Sequence, residues 1–154
     1  MTKRLTWAFW CHLTTLSLLA SFSLIYLFRP EFMPYHALAV GQSWDQIPPE
    51  FQALILGLMR ATGGGWLATA IAMAIILFRP FKRGELWARW AVPFIGLTTA
   101  VPLLYLTLSI AIRTPATSPW IAALLGVVLE IAGWILASQP RPTRLMDPSA
   151  DGPL

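Results

Sequence analysis

The sequence contains little of what soluble domains and thiol-based redox proteins depend on. It has one cysteine, Cys11, in 154 residues, so no disulfide can form within the chain and a paired-cysteine redox relay is excluded. Charged residues make up 12% of the chain and hydrophobic residues 56%, whereas about a quarter of the residues of a typical soluble domain are charged. The few basic residues lie beside apolar stretches and not among exposed aromatics, so we expect no nucleic-acid partner.

Four long apolar stretches occupy most of the chain, at about 7–28, 51–78, 90–112 and 120–137. About 18 or more apolar residues are enough for a helix to cross a hydrocarbon core of ~30 Å. The pattern predicts an all-α integral membrane four-helix bundle formed by one domain, residues 1–138, with the lipid bilayer as its surroundings. The remaining residues, 139–154, are rich in proline and polar residues and are predicted to form a poorly ordered cytoplasmic tail.

The positions of lysine and arginine predict the orientation of the four spans. Eight of these residues fall on one side of the predicted membrane and two, Arg29 and Arg113, on the other. Because cytoplasmic segments carry an excess of basic residues, both termini are expected in the cytoplasm. The eight residues are Lys3, Arg4, Arg79, Lys82, Arg83, Arg89, Arg141 and Arg144.

The first outer loop, residues 29–50, is predicted to contain a short helix at the membrane interface. Pro34 suits the start of a helix and Gly41 suits the position just after its end. The same loop carries Glu31, His36 and Asp45, which form a candidate polar cluster. Their spacing matches no metal-binding motif, so the sequence predicts no metal site.

No cofactor is predicted either. A haem held by two histidines would need both at one depth, whereas His12 and His36 fall on opposite sides of the predicted membrane.

A pair of opposite charges inside the spans is the strongest functional indication. Arg60 and Glu130 lie at similar depth in the second and fourth spans, and charges at such depth are costly and often functional. We therefore expect them to pair, either to fix helix register or to hold a protonatable Glu130; alternatively, Arg60 extends to the interface and Glu130 is neutral. Small residues flank both charges and are predicted to pack the two helices together: Gly57, Gly64, Gly126 and Gly133.

Three segments resemble a block that recurs in small, uncharacterised bacterial inner-membrane proteins with four helices. They are residues 29–37 (RPEFMPYHA), 51–54 (FQAL) and 58–68 (LMRATGGGWLA). The resemblance implies a bacterial inner-membrane location and no particular activity. Small multidrug transporters are of similar size, but their membrane glutamate lies in the first helix, whereas Glu130 lies in the fourth.

Three functional hypotheses remain. The first is a non-enzymatic interaction or accessory subunit that packs against a membrane-protein partner or against itself through small-residue helix faces. The second is a homo-oligomeric transporter or ion-coupled carrier that uses Glu130 paired with Arg60. The third is a membrane enzyme acting on a lipid or quinone at the outer interface. It ranks last because no nucleophile and base occur at a diagnostic spacing.

Overall fold

The computed structural model describes residues 1–138, and this part of the chain is helical without strands. The predicted all-α fold is confirmed. The predicted tail at 139–154, which includes Arg141 and Arg144, lies outside the described residues.

Four helices are long and apolar enough to cross a membrane, as the sequence predicted. They are α1 (Lys3–Phe28), α3 (Pro49–Ile76), α4 (Leu86–Arg113) and α5 (Trp120–Ser138), with the short helix α2 (Pro34–Val40) and a 3₁₀ turn (Trp44–Gln46) between the first two. A π-helical turn (Leu77–Phe81) extends α3, so that this span continues to Phe81.

Helix α1 lies between α3 and α5 in the bundle. It packs against α3 on one side and α5 on the other, and α5 packs against α4. Contacts between α3 and α4 are less extensive, and no contact of similar extent joins α3 and α5 within residues 1–138. We call the end of the bundle with α2 the α2 end, and the opposite end, with Lys82 in the α3–α4 connection, the Lys82 end.

Helix α2 begins and ends where the sequence predicted. Pro34 occupies its first position, and Gly41 stops it with a left-handed backbone, φ 72°. A small apolar cluster of Phe32, Ile47 and Met59 lies between the 29–48 segment and α3. This cluster fixes the segment against the bundle because its three side chains are buried.

The π-helical turn coincides with a proline. Pro80 has no N–H to donate and its ring crowds the carbonyl group one turn earlier, and the wider π-helical turn accommodates it. Leu77 and Phe81 in this turn are fully buried and join the main apolar core at the Lys82 end.

The three consecutive glycines of α3 do not interrupt the helix. A Cβ at Gly63 would lie 3.0 Å from the carbonyl oxygen of Ser23, so glycine allows α1 and α3 to approach closely. The Ser23 hydroxyl donates a hydrogen bond of 2.7 Å to the carbonyl of Gly63. Because both groups are buried, the bond fixes the register of the two helices.

Candidate functional site

The polar centre of the bundle is a contact between His12 of α1 and Glu130 of α5. The Nδ1 atom of His12 lies 2.7 Å from Oε2 of Glu130, and both side chains are 0% exposed. A charged or hydrogen-bonding side chain at such a position is costly without a partner, so each residue needs the other. The contact links α1 to α5 through two residues that are 118 positions apart in the sequence.

Two glycines make room for this pair. A Cβ at Gly96 of α4 would lie 2.5 Å from Cδ of Glu130, and a Cβ at Gly133 would lie 2.6 Å from Cε1 of His12. Real Cβ atoms do not approach other heavy atoms so closely, so larger residues at either position would displace the pair. Phe81 closes another side, with its ring 5.5 Å from the imidazole in an edge-to-face arrangement.

The expected pairing of Glu130 with Arg60 is wrong in this structure. Arg60 lies on the exposed face of α3, and α1 separates α3 from α5. Matching depth along parallel helices therefore did not bring the two residues together, because depth does not determine which helices are neighbours. Arg60 forms no ion pair or hydrogen bond within residues 1–138.

The predicted glycine faces have different surroundings. Gly126 packs on α1 and α4, where a Cβ would meet Thr15 and Ala100 at 3.8 and 3.9 Å. A Cβ added at Gly57 or Gly64 would have no heavy atom within 4 Å, so these two glycines do not pack against α5. The expectation of an α3–α5 glycine contact is thus corrected: the α5 glycines contact α1 and α4.

Sequence reasoning missed His12, although the signal was present. His12 lies nine residues after Lys3, the start of α1, and Glu130 lies eight residues before Ser138, the last described residue of α5. At 1.5 Å per residue both lie roughly 12–14 Å from the Lys82 end. Depth counted from this end would have matched them.

Each partner retains a polar atom without a hydrogen bond. Nε2 of His12 and Oε1 of Glu130 are buried and unpartnered, as is the indole nitrogen of Trp134 nearby on α5. An unsatisfied buried polar atom costs about 1–3 kcal/mol. These unmet hydrogen bonds offset part of the stabilisation that the pair provides.

A narrow apolar cavity of about 60 Å³ lies on the α2 side of the pair. One water-sized sphere needs only ~10–15 Å³, so the cavity has room for several. On α1 its lining extends from Thr15 to Tyr26, eleven residues or about 16 Å along the helix. Further lining residues include Tyr35, Trp66, Gly96 and Gly126.

Tyrosines from two elements border the α2 end of the cavity. The hydroxyl groups of Tyr26 in α1 and Tyr35 in α2 share a hydrogen bond. Burial, reinforced by this hydrogen bond, raises the pKa of Tyr35 well above its usual value, so its hydroxyl remains neutral. Helix α2 is therefore tied to the cavity by an uncharged contact.

The three residues of the predicted loop cluster have different surroundings in the structure. Glu31 forms an exposed ion pair with Arg29 at 3.0 Å, and Asp45 lies exposed in the 3₁₀ turn. His36 packs among aromatic rings and accepts a hydrogen bond from the backbone of Met33. Burial lowers the pKa of His36, which favours a neutral imidazole. Among residues 1–138 no group of three potential metal ligands is present.

Comparison of the chain with protein-family models, with curated proteins and with solved structures found no match. Function must therefore be inferred from the His12–Glu130 pair and the cavity beside it.

Proposed function

We propose that this protein is a non-enzymatic membrane protein that binds one hydrocarbon chain of a lipid inside its helix bundle. The observation that carries the proposal is the cavity between the four long helices. Its length of about 16 Å is close to half of a ~30 Å hydrocarbon core, which is the depth that one leaflet's chains occupy. Its small cross-section suits a linear chain better than a ring system.

The helix packing supplies an entry route from the bilayer. Helices α3 and α4 pack less extensively than the other neighbouring pairs, and both contribute to the cavity wall. Trp66 and Met73 line it from α3, and Thr99 and Leu103 line it from α4. A chain that passes between these two helices need not leave the apolar phase.

We also propose an orientation of the protein in the membrane and a cellular location. The eight-to-two excess of lysine and arginine supports cytoplasmic termini and an outward-facing α2 end, with α2 at the membrane interface. The resemblance of residues 29–68 supports a bacterial inner membrane. Reporter fusions after Ala137 and within the 34–48 segment should report opposite sides of the membrane. Finding both on one side would refute this orientation.

Retention of lipid by the purified protein tests the binding function. Ala123 is 7% exposed and lines the cavity from α5, so Ala123→Leu should fill part of it. Ala72→Leu makes the same change on the exposed face of α3 and is the matched control. Native mass spectrometry after gentle extraction should show one bound lipid-type molecule on the wild type and on the control, and less on Ala123→Leu. Equal retention by all three, or no retention by the wild type, would refute the proposal.

A second function, docking to another membrane protein, is favoured by the exposed face of α3. Arg60 lies on this face without a partner among the described residues, beside Gly57, Ala61, Gly65 and Ala68. Small residues let another helix approach closely, and a carboxylate on that helix would neutralise the arginine. A partner that co-purifies with the wild type and is lost from Arg60→Leu would support this function. A partner retained by the variant would contradict it.

A further inference from the structure

Three exposed cations lie together where the second span ends, at the Lys82 end of the bundle. They are Arg79 in the π-helical turn and Lys82 and Arg83 just after it, where the chain is still helical. We call them the basic cluster. Residues three and four positions apart are neighbours on a helix, so Arg79 lies beside the other two, and like charges at this spacing repel each other.

No carboxylate balances the basic cluster within residues 1–138. Neither of the two ion pairs in this part of the chain involves it. The acidic residue nearest in sequence is Glu85, whose carboxylate accepts a hydrogen bond of 2.7 Å from the indole of Trp87. Three positive charges without a carboxylate partner attract an anion from outside the described chain, and a bound anion would relieve their mutual repulsion.

The ammonium group of Lys82 is held over two aromatic rings. Its Nζ lies 4.8 Å from the ring centre of Phe9 in α1 and 4.9 Å from that of Phe78, and the two rings meet edge to face. A cation within about 6 Å of a ring centre is attracted by the ring. The charge is therefore positioned beside the junction of α1 and α3, and less side-chain freedom is lost when an anion binds to it.

Exposed tryptophans indicate that the basic cluster lies at the level of the lipid headgroups. Two belong to the start of α1 and two to the start of α4, so all four lie near the Lys82 end, and each is more than half exposed. Indole rings prefer the headgroup layer, where one edge is apolar and the other hydrated. The four residues are Trp7, Trp10, Trp87 and Trp90.

An apolar stripe on α3 and the π-helical turn leads from the hydrocarbon side to the basic cluster. Ile71, Ile75 and Phe78 are all exposed, and their spacing of four and three residues continues to Lys82. Residues at this spacing share one face of a helix. From Ile71 to Lys82 the helix rises about 16 Å, close to half of a ~30 Å hydrocarbon core. An acyl chain that descends from a headgroup at Lys82 would lie along this stripe.

We infer that the basic cluster binds the phosphate group of an anionic phospholipid whose acyl chain lies along the α3 stripe. The ligand class is a phospholipid without a cation in its head, such as phosphatidylglycerol. The trimethylammonium group of phosphatidylcholine would face three positive charges and be repelled. The site lies on the outer surface of the bundle, so the inference does not depend on the cavity of the proposed function.

The test compares phosphatidylglycerol with phosphatidylcholine of the same acyl chains. Native mass spectrometry of the full-length protein, titrated with each lipid in detergent, gives both binding constants. Phosphatidylglycerol should bind at least about fivefold more tightly, the ratio given by one favourable charge contact at a membrane surface. Equal affinities would overturn the inference. They would leave the proposed function intact, because the apolar cavity accepts a hydrocarbon chain whichever headgroup the chain carries.

A competition experiment distinguishes a lipid from a soluble phosphate compound. Glycerophosphoglycerol is the headgroup of phosphatidylglycerol without its acyl chains, so it cannot contact the apolar stripe. At equal concentration it should not displace phosphatidylglycerol from the protein. Displacement would show that the cluster binds soluble phosphodiesters, and the assignment to a lipid would be wrong.

Variants with matched loss of charge locate the site. Arg79→Gln with Arg83→Gln changes two exposed side chains, so this variant is expected to fold. It should bind phosphatidylglycerol about 25-fold less tightly, at about fivefold for each charge removed. The control, Arg29→Gln with Arg113→Gln, removes two charges near the α2 end and should keep the preference for phosphatidylglycerol. A preference that persists in the cluster variant, or that falls equally in the control, would contradict the assignment.

Discussion

Removing one member of the His12–Glu130 pair should destabilise the protein far more than removing both. Both side chains are 0% exposed and lie 2.7 Å apart, so a single substitution leaves the other residue buried without its partner. Losses of this kind are about 3–5 kcal/mol each, whereas apolar replacement of a whole buried pair is often neutral or stabilising. At about 2–4 °C per kcal/mol, each single variant should lower Tm by roughly 6–20 °C.

A double-mutant cycle measures this coupling. His12→Leu, Glu130→Met and the double variant are compared by thermal unfolding in one detergent. Independent sites would give a combined loss of about 6–10 kcal/mol, whereas the structure predicts that the double variant loses less than either single one. Arg60→Ala is the control, because Arg60 is exposed and contacts neither residue. Additive losses in the cycle, or coupling of Glu130 to Arg60 instead of His12, would show that His12 and Glu130 do not stabilise each other.

Two further predictions concern steric space and pH. Gly133→Ala should lower the free energy of unfolding by about 1–3 kcal/mol, because its Cβ would lie 2.6 Å from the buried ring of His12. In the same unfolding assay the control Gly64→Ala should be neutral or stabilising, because a Cβ there has no neighbour within 4 Å. The pKa of His36 is lowered by burial, so the native state binds fewer protons than the unfolded state; the stability that His36 provides is complete above its usual pKa of 6.5 and decreases as pH falls below it. The protection factors of residues 34–47, which are hydrogen–deuterium exchange rates corrected for the intrinsic effect of pH, should therefore fall between pH 7.5 and 5, since protonated His36 cannot accept from Met33. His36→Asn should flatten this profile, and constant protection factors in the wild type would contradict the prediction.

The sequence was sufficient to predict the four long helices because span length and apolar content are local properties. The bounds of α2 were predictable for the same reason, since Pro34 and Gly41 act within one or two turns. Residues 1–138 therefore show the elements that the pattern indicated.

The neighbours of each helix were not predictable in the same way. Glu130 was identified correctly as a buried polar residue, but its partner depends on which helix lies beside α5. The partner of a buried residue depends both on its depth along the helix and on which helices are neighbours. Because α1 lies between α3 and α5, the partner is His12 and Arg60 lies on an exposed face. The cavity could not be predicted from the sequence either, since it depends on a gap in the packing of the four long helices.

Disulfide cross-linking between helices tests the central arrangement most directly. In a background with Cys11 replaced by alanine, cysteines at Thr15 and Gly126 should form a disulfide, because a Cβ at Gly126 lies 3.8 Å from the Thr15 side chain. Cysteines at Gly64 and Gly126 should not, because α3 does not pack against α5. We expect efficient oxidation of the first pair alone in native membranes. Oxidation of the second pair without the first would contradict the helix order, and with it the burial of Glu130 against His12.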